Sequence, residues 1–194
     1  MIPLSKILIL STERCGSTNF MKTLEVIYNG KFWEHPHFNG FKSKIDKLGF
    51  DTFMNKSYNL GDFIGTKVVY KNNDLYINDL IEYHDKVFFL MRKNMFYQVM
   101  SLHIANETDI FHEPTDTKVK PLSITELKLR VNEIRNINNT IIKQVDKKDI
   151  LFYEDIQDKL TGVKVNTDYA QIKNRIQLSE EYSNNREFYT YETK

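Results

Sequence analysis

Ile7-Leu8-Ile9-Leu10 is an unbroken apolar run that gives way to the polar stretch Ser11-Thr12-Glu13-Arg14-Cys15-Gly16. A short continuous run of this kind predicts a parallel strand buried on both faces, here spanning Lys6 to Leu10, and then a loop. From Ser17 the apolar positions change to helical spacing at Phe20, Met21, Leu24, Ile27 and Tyr28. Asn29-Gly30 is a C-terminal pair that ends this helix.

Residues 31 to 60 are aromatic without a clear period, with Trp33, Pro36, Phe38 and Phe41, and are expected to be irregular. Gly65 to Tyr70 predicts a second strand, Asn73 to Tyr83 a short helix, and Lys86 to Met91 the clearest strand of the chain. A helix follows Arg92-Lys93-Asn94 and runs through Ala105. Residues 107 to 121 contain two prolines and several acidic residues and predict a loop or lid. Ser123-Ile124-Thr125-Glu126 has capping-box spacing and opens a long helix to about Lys147. Asp149 to Tyr153 predicts a last short strand, and residues 162 to 194 form a polar tail with a short helix and a loosely held end. The order favours a three-layer α/β fold, a mostly parallel central sheet flanked by helices on both faces.

Composition narrows the picture. A chain of 194 residues suits a single domain and can bury roughly 70% of its unfolded surface without a disulfide or metal. With 27 basic and 26 acidic side chains it is no general nucleic-acid binder, although a local basic pocket remains open to it. The single cysteine excludes an internal disulfide and a cysteine-based zinc site. No stretch approaches the ~20 apolar residues of a membrane span, and no signal-peptide core or cleavage site is present, so a cytoplasmic protein is expected.

The chemistry concentrates in residues 11 to 18. A loop that passes from a strand into a helix N-terminus offers free N–H groups and a favourable dipole to an anion. Gly16 allows close backbone approach, Ser17 and Thr18 add hydroxyls, and Arg14 adds a forked cation. The Gly-x4-Gly-Lys-Ser/Thr pattern of ordinary nucleotide hydrolases is absent. A thiol beside a helix N-terminus can be a reactive thiolate, so Cys15 carries a second, less favoured reading.

Arg14-Cys15-Gly16-Ser17-Thr18 resembles the core of the 5′-phosphosulfate loop of PAPS-dependent sulfotransferases, with Cys for the usual Ser and Glu13 where Pro often stands. Lys86 to Asn94 followed by Gln98-Val99-Met100-Ser101-Leu102-His103-Ile104-Ala105 resembles their strand–Arg–helix–Ser element, especially in the bacterial branch that modifies carbohydrates. Gly65-x-Lys67 and Leu151-Phe152-Tyr153-Glu154-Asp155 are similar to further segments of that branch, as are Ile172-Lys173-Asn174 and Ser183 to Glu187.

The resemblance implies a P-loop-like nucleotide-binding fold and PAPS as sulfuryl donor, with no metal. Residues Arg14, Cys15, Gly16, Ser17, Thr18 and Asn19 would cradle the 5′-phosphosulfate, and Arg92 and Ser101 would hold the 3′-phosphate. The acceptor it implies is a hydroxyl, on a sugar or glycan.

Sulfuryl transfer needs a base near the acceptor and cations near the leaving group. The strand-end His of animal-type members has no counterpart near Tyr70. Glu34, in Lys31-Phe32-Trp33-Glu34-His35-Pro36-His37-Phe38, matches the bacterial position and is the leading base, with desolvation by Phe32 and Trp33 expected to favour it. His37 and His35 are its rivals, and Lys67 is placed to reach leaving-group oxygens. His103 and Glu107, one turn apart, are expected to be a solvated pair. Two alternatives remain: a non-catalytic PAP- or anion-binding domain of the same fold, and a divergent nucleotide kinase.

Overall fold

The first strand, β1 (Ile7–Ser11), is buried along its whole length and lies at the centre of the sheet. Its unbroken apolar sequence follows from that position, since a central parallel strand has no solvent face. β3 (Phe63–Val69) and β4 (Lys86–Met91) pair with it on either side, while β2 (Lys31–Glu34) and β5 (Ile150–Phe152) form the edges. All pairings are parallel, in the order β2-β3-β1-β4-β5. The computed structural model describes residues 6–34, 38–70, 76–110, 117–160 and 169–192.

Strand order dictates where the helices go. The crossover from β1 to β2 runs one way along the sheet, and its helix α1 (Ser17–Tyr28) packs on the face of Ile7 and Ile9. The three later crossovers run the opposite way. Right-handed connections therefore put their helices on the other face, against Leu8 and Leu10. These helices are α2 (Lys42–Leu48), α3 (Phe50–Gly61), α4 (Ile77–Tyr83), α5 (Met95–Thr108) and α6 (Ile124–Ile142). The sheet is thus covered on both faces but unequally, and the first connection leaves β1 in the opposite sense to the connection leaving β4. Ligands of open α/β sheets bind at such a reversal, which here falls at the C-terminal ends of β1 and β4.

Several local expectations hold. β4 has the predicted bounds, Asn29 closes α1 in the left-handed conformation, and the Ser123 hydroxyl accepts from the Glu126 N–H at 3.1 Å. Others need correction. Residues 31 to 60 are not irregular: they hold β2, α2 and α3, the last carrying Phe53, Met54 and Tyr58 into the core. Of the expected lid, α5 takes the first residues, Val119 bridges to Ile172, and residues 111 to 116 lie outside the described residues.

The described part of the tail, residues 169–192, is packed against the core. α7 (Arg175–Asn184) and α8 (Arg186–Tyr189) follow Ile172, and Ile172, Leu178 and Tyr189 are all in the main core. The Asn174 side chain both donates to the Leu122 carbonyl and accepts its N–H, an anchor that mimics a strand pair. Among the described residues no helix is long and apolar enough to cross a membrane.

Candidate functional site

β1 delivers residues 12 to 16 to that reversal, and the backbone there is unusual. Arg14 has φ of 58° and Gly16 has φ of 86°, two left-handed positions separated by Cys15. Left-handed residues in a loop of this kind let successive N–H groups converge on an anion, a nest that the first turn of a following helix extends. Gly16 is required twice over. Its φ suits glycine, and an added Cβ would lie 2.3 Å from the Tyr153 ring.

α5 fixes this loop from the neighbouring strand. The Gln98 amide, wholly buried, donates to the Thr12 hydroxyl at 2.9 Å and to the Glu13 carbonyl at 2.5 Å. One helical turn on, Ser101 accepts from Arg14 Nε at 2.9 Å. Both sides of the left-handed Arg14 are therefore clamped to a single helix face. The helix is itself fixed, because Asn94 caps it by accepting from the Tyr97 N–H. The Glu154 carboxylate, just past β5, accepts the N–H groups of Lys93 and Asn94 at 3.0 and 3.1 Å.

Arg92 directly follows β4, beside these contacts, and is only 5% exposed. Its guanidinium lies 4.9 Å from the centre of the Tyr153 ring, and its Nε has no hydrogen-bond partner. It makes no ion pair among the described residues. Burial, and next the Arg92 charge, lower the Arg14 guanidinium below its ordinary range. The buried Arg92 cation is thus felt by a half-buried Arg14, an arrangement that an anion between the two would stabilise.

A third cation stands on the α1 side of the sheet. Lys67 on β3 is fully buried and donates to Thr18 on α1 at 2.7 Å and to Glu34 on β2 at 2.6 Å. Glu34 and Lys67 are direct partners in the β2–β3 register, so both side chains leave the same face. Burial lowers the Lys67 ammonium from its usual range, and Glu34 opposes that. The expected desolvation of Glu34 by Trp33 does not occur. Trp33 points to the opposite face, among Phe38, Phe41, Phe53 and Phe63, and the Glu34 side chain is 40% exposed.

Of the other predicted residues, Ser17 is buried at the start of α1, and Thr18 and Asn19 are half-buried on its first turn. Cys15 is fully buried in the α1-side core, and burial raises its thiol above the usual range. That side chain stays protonated at neutral pH and serves packing, leaving only its backbone to the nest. His35 and His37 lie outside the described residues. His103 is no solvated partner: it is buried against the Lys120 carbonyl at 2.9 Å, while Glu107 pairs with Lys120 Nζ.

Gln98, Tyr153, Glu154 and Tyr169 are site residues that motif reading passes over or leaves without a role. Gln98 and Ser101 are spaced i, i+3 on one helix, which is the signal that links them. Tyr169 carries no local signal. The loop, Arg14, Arg92 and Ser101 gather at the C-terminal ends of β1 and β4, while Lys67, paired with Glu34, stands on the α1 side of the sheet. The chain matches no protein-family model and shows no significant similarity to a curated protein.

Proposed function

We propose that this chain is a sulfotransferase that moves the sulfuryl group of PAPS to a hydroxyl acceptor, with carbohydrate as the acceptor class the resemblance implies. One observation carries the proposal. Arg14 and Arg92, both largely withdrawn from water, converge on a glycine-containing nest that opens a twelve-residue helix. That arrangement suits a ligand with more than one anionic group, as PAPS has, and the site lies where parallel sheets bind nucleotides.

When bound, the donor would supply an electrophilic sulfur bridged to a phosphate leaving group. Nest N–H groups, Arg14 and the first turn of α1 would hold its 5′ end, and Arg92 with Ser101 its 3′-phosphate. Lys67, tied to Thr18, brings positive charge to the same helix turn, where it would stabilise negative charge on a departing oxygen. Glu34 would take the proton from the acceptor hydroxyl as the new S–O bond forms. For that it must exchange part of its contact with Lys67, a motion that its half-exposed position permits.

The Glu34–Lys67 pair also favours a second possibility, a PAP-binding domain of the same fold without chemistry, because an engaged carboxylate is a poorer proton acceptor. Calorimetric titration with PAP, beside ATP and AMP, tests the shared part of both. Micromolar or tighter PAP binding that Arg92→Ala weakens by about tenfold or more is expected, with little ATP binding. A folded protein that does not bind PAP would overturn both. Transfer of labelled sulfate from PAPS to an acceptor in a glycan panel then separates enzyme from binder.

A further inference from the structure

Hydroxyls on the helices of this chain commonly spend their proton on the carbonyl four residues back. Thr23 donates to Asn19, Ser57 to Phe53, Thr108 to Ile104, Thr140 to Asn136 and Ser183 to Ser179. Ser101 on α5 departs from this habit. The carbonyl at its disposal, that of Tyr97, already accepts the Ser101 N–H within the helix and the Tyr169 hydroxyl at 3.0 Å. Both lone pairs of that oxygen are in use.

The Ser101 oxygen is engaged from the other side. Arg14 Nε donates to it at 2.9 Å, across 87 positions of sequence. Among the described residues the Ser101 proton has no acceptor. A half-buried hydroxyl therefore carries an unspent donor at the point where the guanidinium of the loop arrives. The bond from Arg14 draws electron density from the oxygen and makes that proton a stronger donor. One turn earlier on the same helix, Gln98 holds Thr12 and the Glu13 carbonyl, so α5 fixes the backbone before Arg14 as well as its side chain.

We infer that Ser101 has two tasks in anion recognition: its oxygen positions the Arg14 guanidinium for one anionic group of the ligand, and its proton binds a second. The inference rests on the anion-binding roles given to Arg14 and Ser101 above. It makes the two groups interdependent. A phosphate that accepts the Ser101 proton makes the hydroxyl oxygen a better acceptor, which tightens the bond from Arg14 and steadies the guanidinium facing the other group. The site therefore favours a ligand with two anionic groups by more than the sum of the separate contacts.

Calorimetric titration with PAP and with 5′-AMP, which differ only in the 3′-phosphate, separates the two tasks. Ser101→Ala is expected to weaken PAP binding about tenfold and 5′-AMP binding about threefold, the size of hydrogen bonds to charged groups. The loss on 5′-AMP reads the positioning of Arg14, and the extra loss on PAP reads the contact to the second group. In an Arg14→Met background the loss on PAP is expected to shrink to about threefold, because no guanidinium remains to position.

Unchanged 5′-AMP affinity in Ser101→Ala would confine Ser101 to the second group, and equal losses with and without Arg14 would make the two residues independent. Equal losses on PAP and 5′-AMP would leave the proton without its task. Each of these outcomes overturns the inference, and thermal unfolding of every variant keeps misfolding apart from them. If the wild type binds inorganic pyrophosphate but neither nucleotide, the PAPS assignment falls. The Ser101–Arg14 cycle is then read on pyrophosphate, where additive losses overturn the coupling and a smaller loss without Arg14 upholds it. Binding of none of the three overturns both readings.

Discussion

Gly16 shows how little freedom a single residue of the loop has. Alanine there would place a methyl carbon inside the Tyr153 ring and hold an L-residue at φ of 86°. The ring cannot swing away easily, being buried beneath Arg92. Backbone strain of about 1–2 kcal/mol plus the clash should cost Gly16→Ala about 3 kcal/mol, a fall of roughly 6–12 °C in Tm for a chain of this size. Differential scanning calorimetry would read it, and anion binding should be lost with it.

His84 makes a different prediction, on the opposite face of the sheet. Its Nδ1–H donates to the Leu80 carbonyl, so Nε2 accepts from the Tyr58 hydroxyl, which in turn accepts from Thr66. Burial pushes the imidazole down to about 4, from 6.5 in the open chain. Between those values the unfolded chain binds a proton that the folded protein refuses. The stabilisation is complete above pH 6.5 and is lost as pH falls towards 4. Urea denaturation at pH 7 and pH 5 should differ by about 2 kcal/mol from this group, and His84→Leu should flatten that slope.

At the scale of elements, β2 and β3 hold an unequal ion pair. Lys67 is fully buried and Glu34 is not. Removing the carboxylate strands a buried ammonium, whereas removing the ammonium leaves a carboxylate that water can reach. Glu34→Ala should therefore cost about 2 kcal/mol more stability than Lys67→Met, measured by denaturant titration. The reverse order would show that Lys67 is folded around as a neutral amine.

α5 is the element that builds the loop. Gln98→Met keeps the volume and removes the donor to Thr12 and Glu13. It should lower anion affinity by about tenfold while leaving Tm within a few degrees, since a flexible thioether fills the space and the carboxamide oxygen already lacks a partner.

Elements with a strong local signal were legible in the sequence. β4 stands out because its apolar run is bounded by charge, and α1 because its spacing and its Asn29 end agree. β2 was not, because an edge strand of four residues with one buried side chain shows no alternation. α3 could have been found from Phe50, Phe53, Met54 and Tyr58, whose spacing is helical, but the surrounding aromatic residues masked it. The loop, Arg92 and Ser101 were legible as motifs, and the parallel pairing of β1 with β4 brings them together. Tyr153 and Tyr169 were not, since both reach the site through contacts between residues 60 or more positions apart.

For the whole molecule, the segment after residue 169 is a structural member rather than an appendage. Tyr189 is fully buried, with its ring 5.6 Å from Phe96 on the helix that carries Gln98 and Ser101. Its hydroxyl donates to Glu181 at 3.0 Å. Tyr189→Ala should cost about 4 kcal/mol, the middle of the range for a buried aromatic truncation, and equilibrium unfolding would register it.

The central place of β1 has a consequence for biogenesis. Its two partners, β3 and β4, begin 56 and 79 positions after Ile7. At about 5–20 residues per second, a ribosome needs roughly 3–11 s to make β3 after β1 has been translated. Throughout that interval an Ile-Leu-Ile-Leu strand has both hydrogen-bonding edges open. Nascent chains in this window are the natural substrates of chaperones that bind extended apolar segments, and slow translation between residues 30 and 90 would lengthen their exposure.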